Sequence, residues 1–146
     1  MSTRCQIGVY EKRPTKKGLP NFEALLYRHS DGYPDTESGV LHDIIPFLQD
    51  FQKNRGLDDS EYVSARLMQH LTNIADQQLD DWYKERPEYQ TTAQTYKYTG
   101  FGICNSFHGD IEYYYAISPT HLDVYDVSFA DVELPERVEK IKSIKL

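Results

Sequence analysis

Between Asp58 and Pro87 the chain carries one long helical pattern, and strand-like patterns lie on both sides of it. Tyr62, Val63, Leu67, Leu71, Ile74, Leu79 and Trp82 recur at helical spacing and predict a helix near residues 59–85. Asp58, with Glu61 three residues on, reads as a capping box that opens this helix, and Pro87 closes it. An amphipathic helix of that length needs a partner layer for its apolar stripe, and the flanking segments offer a sheet.

Cys5-Gln6-Ile7-Gly8-Val9-Tyr10 alternates apolar with polar or small residues and reads as a strand. Residues 11–21 hold Lys, Pro, Gly and Asn and read as a loop, and Phe22 to Arg28 makes a second strand. Asp31-Gly32-Tyr33-Pro34-Asp35 is turn chemistry, with Gly supplying φ > 0 and Pro fixing its own φ. Thr36 or Ser38 is the expected cap of a first helix, whose stripe is Val40, Leu41, Ile44, Ile45, Leu48 and Phe51. Gly56 stops it, and Pro46 either kinks it or starts a second segment. Residues 88–94 read as loop. Three strand patterns follow, Tyr96 to Cys104, Ile111 to Ile117 and Leu122 to Val127. The tail 129–146 is polar and amphipathic, a short helix or an edge segment. The order ββααβββ predicts a single α+β domain over 1–146, an antiparallel sheet of about five strands with two helices on one face.

A chain of 146 residues supports one domain with a real core. Its 13% aromatic content includes twelve Tyr, a residue that buries a ring while keeping a polar tip. The net charge of −7 argues against general nucleic-acid binding, which rests on phosphate neutralisation. Charge is uneven: residues 1–34 hold six Lys/Arg against three acids, so a small anion fits best at that end. Lys12, Arg13, Lys16 and Lys17 read as a solvated hairpin loop. Cys5 and Cys104 form no metal pattern and no disulfide framework, and both are expected as buried thiols. With no apolar leader region and no run of about 18 apolar residues, the expected location is the cytoplasm.

Chemistry concentrates in Tyr27-Arg28-His29-Ser30-Asp31-Gly32-Tyr33-Pro34, where an apolar strand runs into a turn. If the first two strands form a hairpin, Arg4 and Cys5 lie beside Arg28 and His29. Arg4 and Arg28 suit bidentate phosphate recognition. Arg28 equally suits a turn-holding pair with Asp31 or Asp35. Tyr27, Tyr33 and Tyr114, within the run Tyr113-Tyr114-Tyr115, suit base stacking or sheet packing. His29 and His108 suit a general acid/base pair, with Asp31 or Asp110 orienting either ring. His42 and His70 read as structural. No metal-ligand spacing, phosphate-cradling loop or nucleophile elbow is present, so no metal and no cofactor is expected.

Three stretches, Ser2-Thr3-Arg4, Tyr27 to Pro34, and His108-Gly109-Asp110-Ile111-Glu112-Tyr113-Tyr114-Tyr115, carry a resemblance. The chain resembles a family of small tailed-phage and prophage proteins with the same three signatures, and the similarity spans residues 2 to about 127. Ser30 fills the variable position of the second signature. The resemblance implies a phage accessory protein acting in the cytoplasm of an infected bacterium. Proteins of that kind counter host defence, and one strategy is a compact homo-oligomer that sequesters a nucleotide immune signal, a cyclic oligonucleotide or an ADP-ribose derivative. Others cleave the signal. On the first reading Arg4, Tyr27, Arg28, His29, Asp31, Tyr33, His108 and Tyr114 bind the ligand. On the second, His29 and His108 open a phosphodiester. A third reading is a protein-interaction factor with tyrosines at its interface.

Overall fold

The computed structural model describes residues 2–15, 18–89, 100–127 and 138–146. Its elements are β1 (Cys5–Val9), β2 (Ala24–Arg28), α1 (Val40–Asn54), α2 (Ser60–Glu85), β3 (Phe101–Ile103), β4 (Tyr113–Ile117), β5 (His121–Asp126) and β6 (Glu139–Lys145). The α+β class follows as expected from the sequence. The predicted sheet of about five antiparallel strands holds roughly but not in detail. Six strands lie in the order β3-β2-β1-β4-β5-β6, and β1 pairs parallel with β4, Cys5 opposite Tyr113 through Val9 opposite Ile117.

Two physical causes explain the difference. Period-2 alternation tells which face a residue occupies but not which way a strand runs. The connection from β3 to β4 crosses from one side of the β1–β2 hairpin to the other, so β4 arrives alongside β1. The extra strand, β6, came from the polar tail. Its Lys140, Lys142 and Lys145 are exposed on the sheet's outer edge, where charge blocks further pairing and hides the strand signal. The predicted strand residues 96–99 lie outside the described residues.

The central strand β1 is buried on both sides. Cys5, Ile7 and Val9 face the helices, with Leu26, Tyr115, Ile117, Leu122 and Val124 beneath Val40, Leu41, Ile44, Leu48, Val63, Leu67 and Leu71. The opposite face holds Tyr10, Leu25, Tyr114, Ala116 and Tyr125, and loops cover it with Leu19, Phe22, Phe107 and Ile111. Arg13 belongs to this cover rather than to solvent. Its guanidinium makes two bonds of 3.0 Å to the fully buried Asp123 on β5, and Ser143 on β6 donates a third of 2.7 Å. Burial raises the Asp123 carboxyl, but those hydrogen bonds and the charge of Lys140 outweigh it, leaving a net value below the usual carboxylate range.

Helix ends differ in detail from the sequence reading. α2 is capped by Asp59, one residue after Asp58, with the Tyr62 amide donating to its carboxylate at 3.1 Å. α1 has no side-chain cap from Thr36 or Ser38. Its N-cap is Gly39, and carbonyls of the preceding turn receive its first amides, Val40 to Tyr33 O and His42 to Asp35 O, both at 3.0 Å. A Cβ on Gly39 would overlap the Tyr33 carbonyl. The helix runs through Pro46 without a break. In the same turn, positive φ falls on Asp31 (φ 56), not on Gly32. Gly32 is required by close approach instead: a Cβ there would sit 2.8 Å from Thr3 O and 2.9 Å from Cys5 Cβ.

Candidate functional site

Strand alternation divides the segment Tyr27–Pro34 between the two faces of the sheet. The hairpin forms, and Cys5 pairs with Arg28 as expected. Arg28 therefore shares the helix face with Cys5, while Tyr27 packs on the loop-covered face. The convergence of Arg4 and Arg28 is not what the structure shows.

On the helix face, Arg28 is buried and donates to Asp43 Oδ2 of α1 at 2.7 Å, with both side chains 8% exposed. Its Nε donates to Ser30 O at 2.8 Å. The partner is thus Asp43 rather than Asp31 or Asp35. His42 Nδ1 lies 3.0 Å from Asp43 Oδ1, and His70 Nε2 donates to Asp43 O at 2.8 Å while stacking on Phe47. Asp43 is the hub of a structural network that ties the end of β2 to both helices. Asp31 is exposed at the mouth of a narrow hollow of about 70 Å³ beside this network. Tyr33 is half-buried, its hydroxyl 3.5 Å from Ser38 Oγ. Tyr114 is fully buried and its hydroxyl is bonded to that of Tyr10, so it offers no ligand surface.

On the loop face, the remaining predicted residues do meet. The Tyr27 hydroxyl and His29 Nδ1 are 2.9 Å apart. The Tyr27 ring lies against the His108 ring, centroids 4.9 Å apart. Arg4 Nη1 donates to Asp110 Oδ2 at 3.0 Å, and His108 Nδ1 stands 3.9 Å from Asp110 Oδ1. Both histidines thus contact one tyrosine. An open cleft of about 510 Å³ lies beside them, lined by Tyr27, Gly102, Ile103, Cys104, Asn105 and His108. That volume is in the range of small-molecule sites. No Lys or Arg is among its lining residues, and Arg4 is already paired.

Two contributors escaped the sequence reading. Gln6, fully buried on β1, grips the loop that carries His108: its Nε2 donates to Ser106 O at 3.1 Å, and the His108 amide donates to its Oε1 at 2.9 Å. A glutamine at a strand position facing an apolar layer was the available signal. Cys104 is not a buried thiol. Its amide still bonds β2, donating to Leu25 O at 2.9 Å, but its side chain is only partly buried and lines the cleft, with Sγ 3.7 Å from His108 Nε2. Cys5 by contrast is fully buried, and burial pushes its thiol up to about 12, against the opposing pull of Arg28.

Among the described residues no group of three His, Cys, Asp or Glu side chains is placed to hold a metal ion, and no helix is long and apolar enough to cross a membrane. Comparison with protein-family models, curated proteins and solved structures finds no match.

Proposed function

We propose that the chain binds a small molecule with a planar, nucleobase-like group in the cleft beside Tyr27 and His108. The observation that carries this reading is the pair of rings 4.9 Å apart at the wall of an open cleft. One such stacking contact contributes roughly 1–3 kcal/mol and tolerates any base. His29, Cys104 and Asn105 add polar groups around the ring face. Phosphate recognition rests on His29 and His108 rather than on arginines, because Arg28 is committed to Asp43 and Arg4 to Asp110.

The resemblance of residues 2–127 to tailed-phage proteins extends the reading to a phage accessory protein that sequesters a nucleotide immune signal and counters host defence. A homo-oligomer suits it: Ile103, on the edge strand at the cleft wall, is 80% exposed, and a second subunit there would cover it and deepen the cleft. Cleavage of the signal is the second reading, favoured by the contact of both His29 and His108 with Tyr27, which places two proton carriers at one site.

The test is to incubate purified protein with cyclic dinucleotides and cyclic ADP-ribose isomers, heat-denature it and analyse the supernatant. Intact ligand released only on heating is the result expected. Altered ligand would favour cleavage, and no depletion of any compound would remove both readings for that panel. Tyr27→Ala should reduce the affinity of the folded fraction about tenfold or more; undiminished binding would place the site elsewhere.

A further inference from the structure

We propose that Cys104 is a nucleophile served by His108, with Asp110 orienting the imidazole, and that it accepts a carbon electrophile bearing a leaving group. The three residues lie within one seven-residue loop, Cys104-Asn105-Ser106-Phe107-His108-Gly109-Asp110. The two ring nitrogens of His108 have different partners. Nε2 faces the Cys104 sulfur at 3.7 Å, and Nδ1 faces the Asp110 carboxylate at 3.9 Å. A proton held on Nδ1 toward the carboxylate leaves Nε2 free to accept the thiol proton, the division of roles that a nucleophile, base and orienting acid require. The 3.9 Å separation is longer than a hydrogen bond, and catalytic contacts are often long until a reactant is bound.

The surroundings hold this arrangement in place. Gln6 clamps the loop on both sides of Phe107, through Ser106 O and the His108 amide. Arg4, just before β1, bonds Asp110 at 3.0 Å. Tyr27 of β2 backs the other side of the imidazole, with His29 on the Tyr27 hydroxyl. Cys104 and His108 both line the cleft, so an electrophile bound there lies beside the pair.

In the reaction the thiol proton passes to His108 Nε2 as sulfur attacks carbon. An S–C bond forms, the bond from carbon to the leaving group breaks with its electron pair, and the proton on Nε2 neutralises the departing group or is released to solvent. No oxidant or reductant enters. The inference does not rest on nucleotide binding, since the electrophile need not be a nucleotide.

Iodoacetamide is the probe, applied to the full chain with peptide mapping of both cysteines. Cys5, fully buried on β1, is the internal control and should stay unmodified in folded protein. At pH 6 Cys104 should react about tenfold or more faster than free glutathione. His108→Gln, which keeps the backbone bond to Gln6, should slow it about tenfold or more, and Asp110→Asn by less. A Cys104 rate equal to that of glutathione, or unchanged in His108→Gln, would overturn the proposal. Should His108→Gln fail to fold, the wild-type profile decides. A rate that reaches its plateau by about pH 7.5, where an imidazole is already neutral, supports the pair, and one that goes on rising about tenfold per pH unit to about pH 8.5, as for an unassisted thiol, excludes it.

Discussion

Adjacent residues in a strand have different fates, and Tyr27, Arg28 and His29 illustrate it. The sequence showed that chemistry was concentrated there. Alternation also implies that neighbours diverge, so Arg28 had to leave Tyr27 and His29 once the strand extended to residue 28. What sequence did not reveal is the partner, because Asp43 lies on α1 and only tertiary packing brings it to Arg28. The pair is almost wholly desolvated, so removing either member strands a buried charge. Asp43→Asn should lower stability by about 3 kcal/mol in urea denaturation while leaving the affinity of the folded fraction for a cleft ligand unchanged. A loss of affinity without a loss of stability would return Arg28 to the binding site. Cys104 was misjudged for a different reason: its amide keeps the strand bond to Leu25 O, but β3 is the end strand of the sheet, where a side chain is only partly covered.

At the scale of elements, existence and span were legible. The stripe from Tyr62 to Trp82 marked α2 nearly to its ends, since long periodic patterns average over many positions. Caps were less so. The first-turn amides of α1 donate to backbone carbonyls, which leave no trace in residue type. The same blindness hid the tie between β1 and the 104–112 loop, because a single glutamine does not name its partners. Gln6→Leu preserves volume but leaves Ser106 O and the His108 amide without their partner. It should cost about 2 kcal/mol and speed amide exchange at His108. Unchanged exchange there would show that the loop is held by its apolar residues Phe107 and Ile111 alone.

Across the whole molecule, tyrosines line both faces of the sheet, a feature visible in composition but not in placement. Tyr115 is buried under the helices and donates to Gly32 O at 2.7 Å, and Tyr10 and Tyr114 are buried under the loops. Burial pushes all three phenols above their ordinary range. Phenols raised in the folded state keep protons that the unfolded chain releases, so their contribution is complete below about pH 10 and is lost as pH rises further. Stability should therefore fall above about pH 10 by roughly 1.4 kcal/mol per pH unit for each buried phenol. Urea midpoints at pH 8, 10 and 11, followed alongside phenolate absorbance, measure this. Full phenol ionisation in a still-folded chain would contradict the placement of these rings.

The parallel pairing of β1 with β4 also sets an order of events in the cell. β1 lies at the middle of the sheet, yet its neighbour Tyr113–Ile117 is among the later segments to be made. At translation rates of roughly 5–20 residues per second, β1 and its hairpin partner wait on the order of 5–20 s for that neighbour. During that wait one edge of the hairpin is bare and its apolar residues lack their cover. A nascent chain halted before residue 113 should be captured by chaperones, and release of the remainder should let it close.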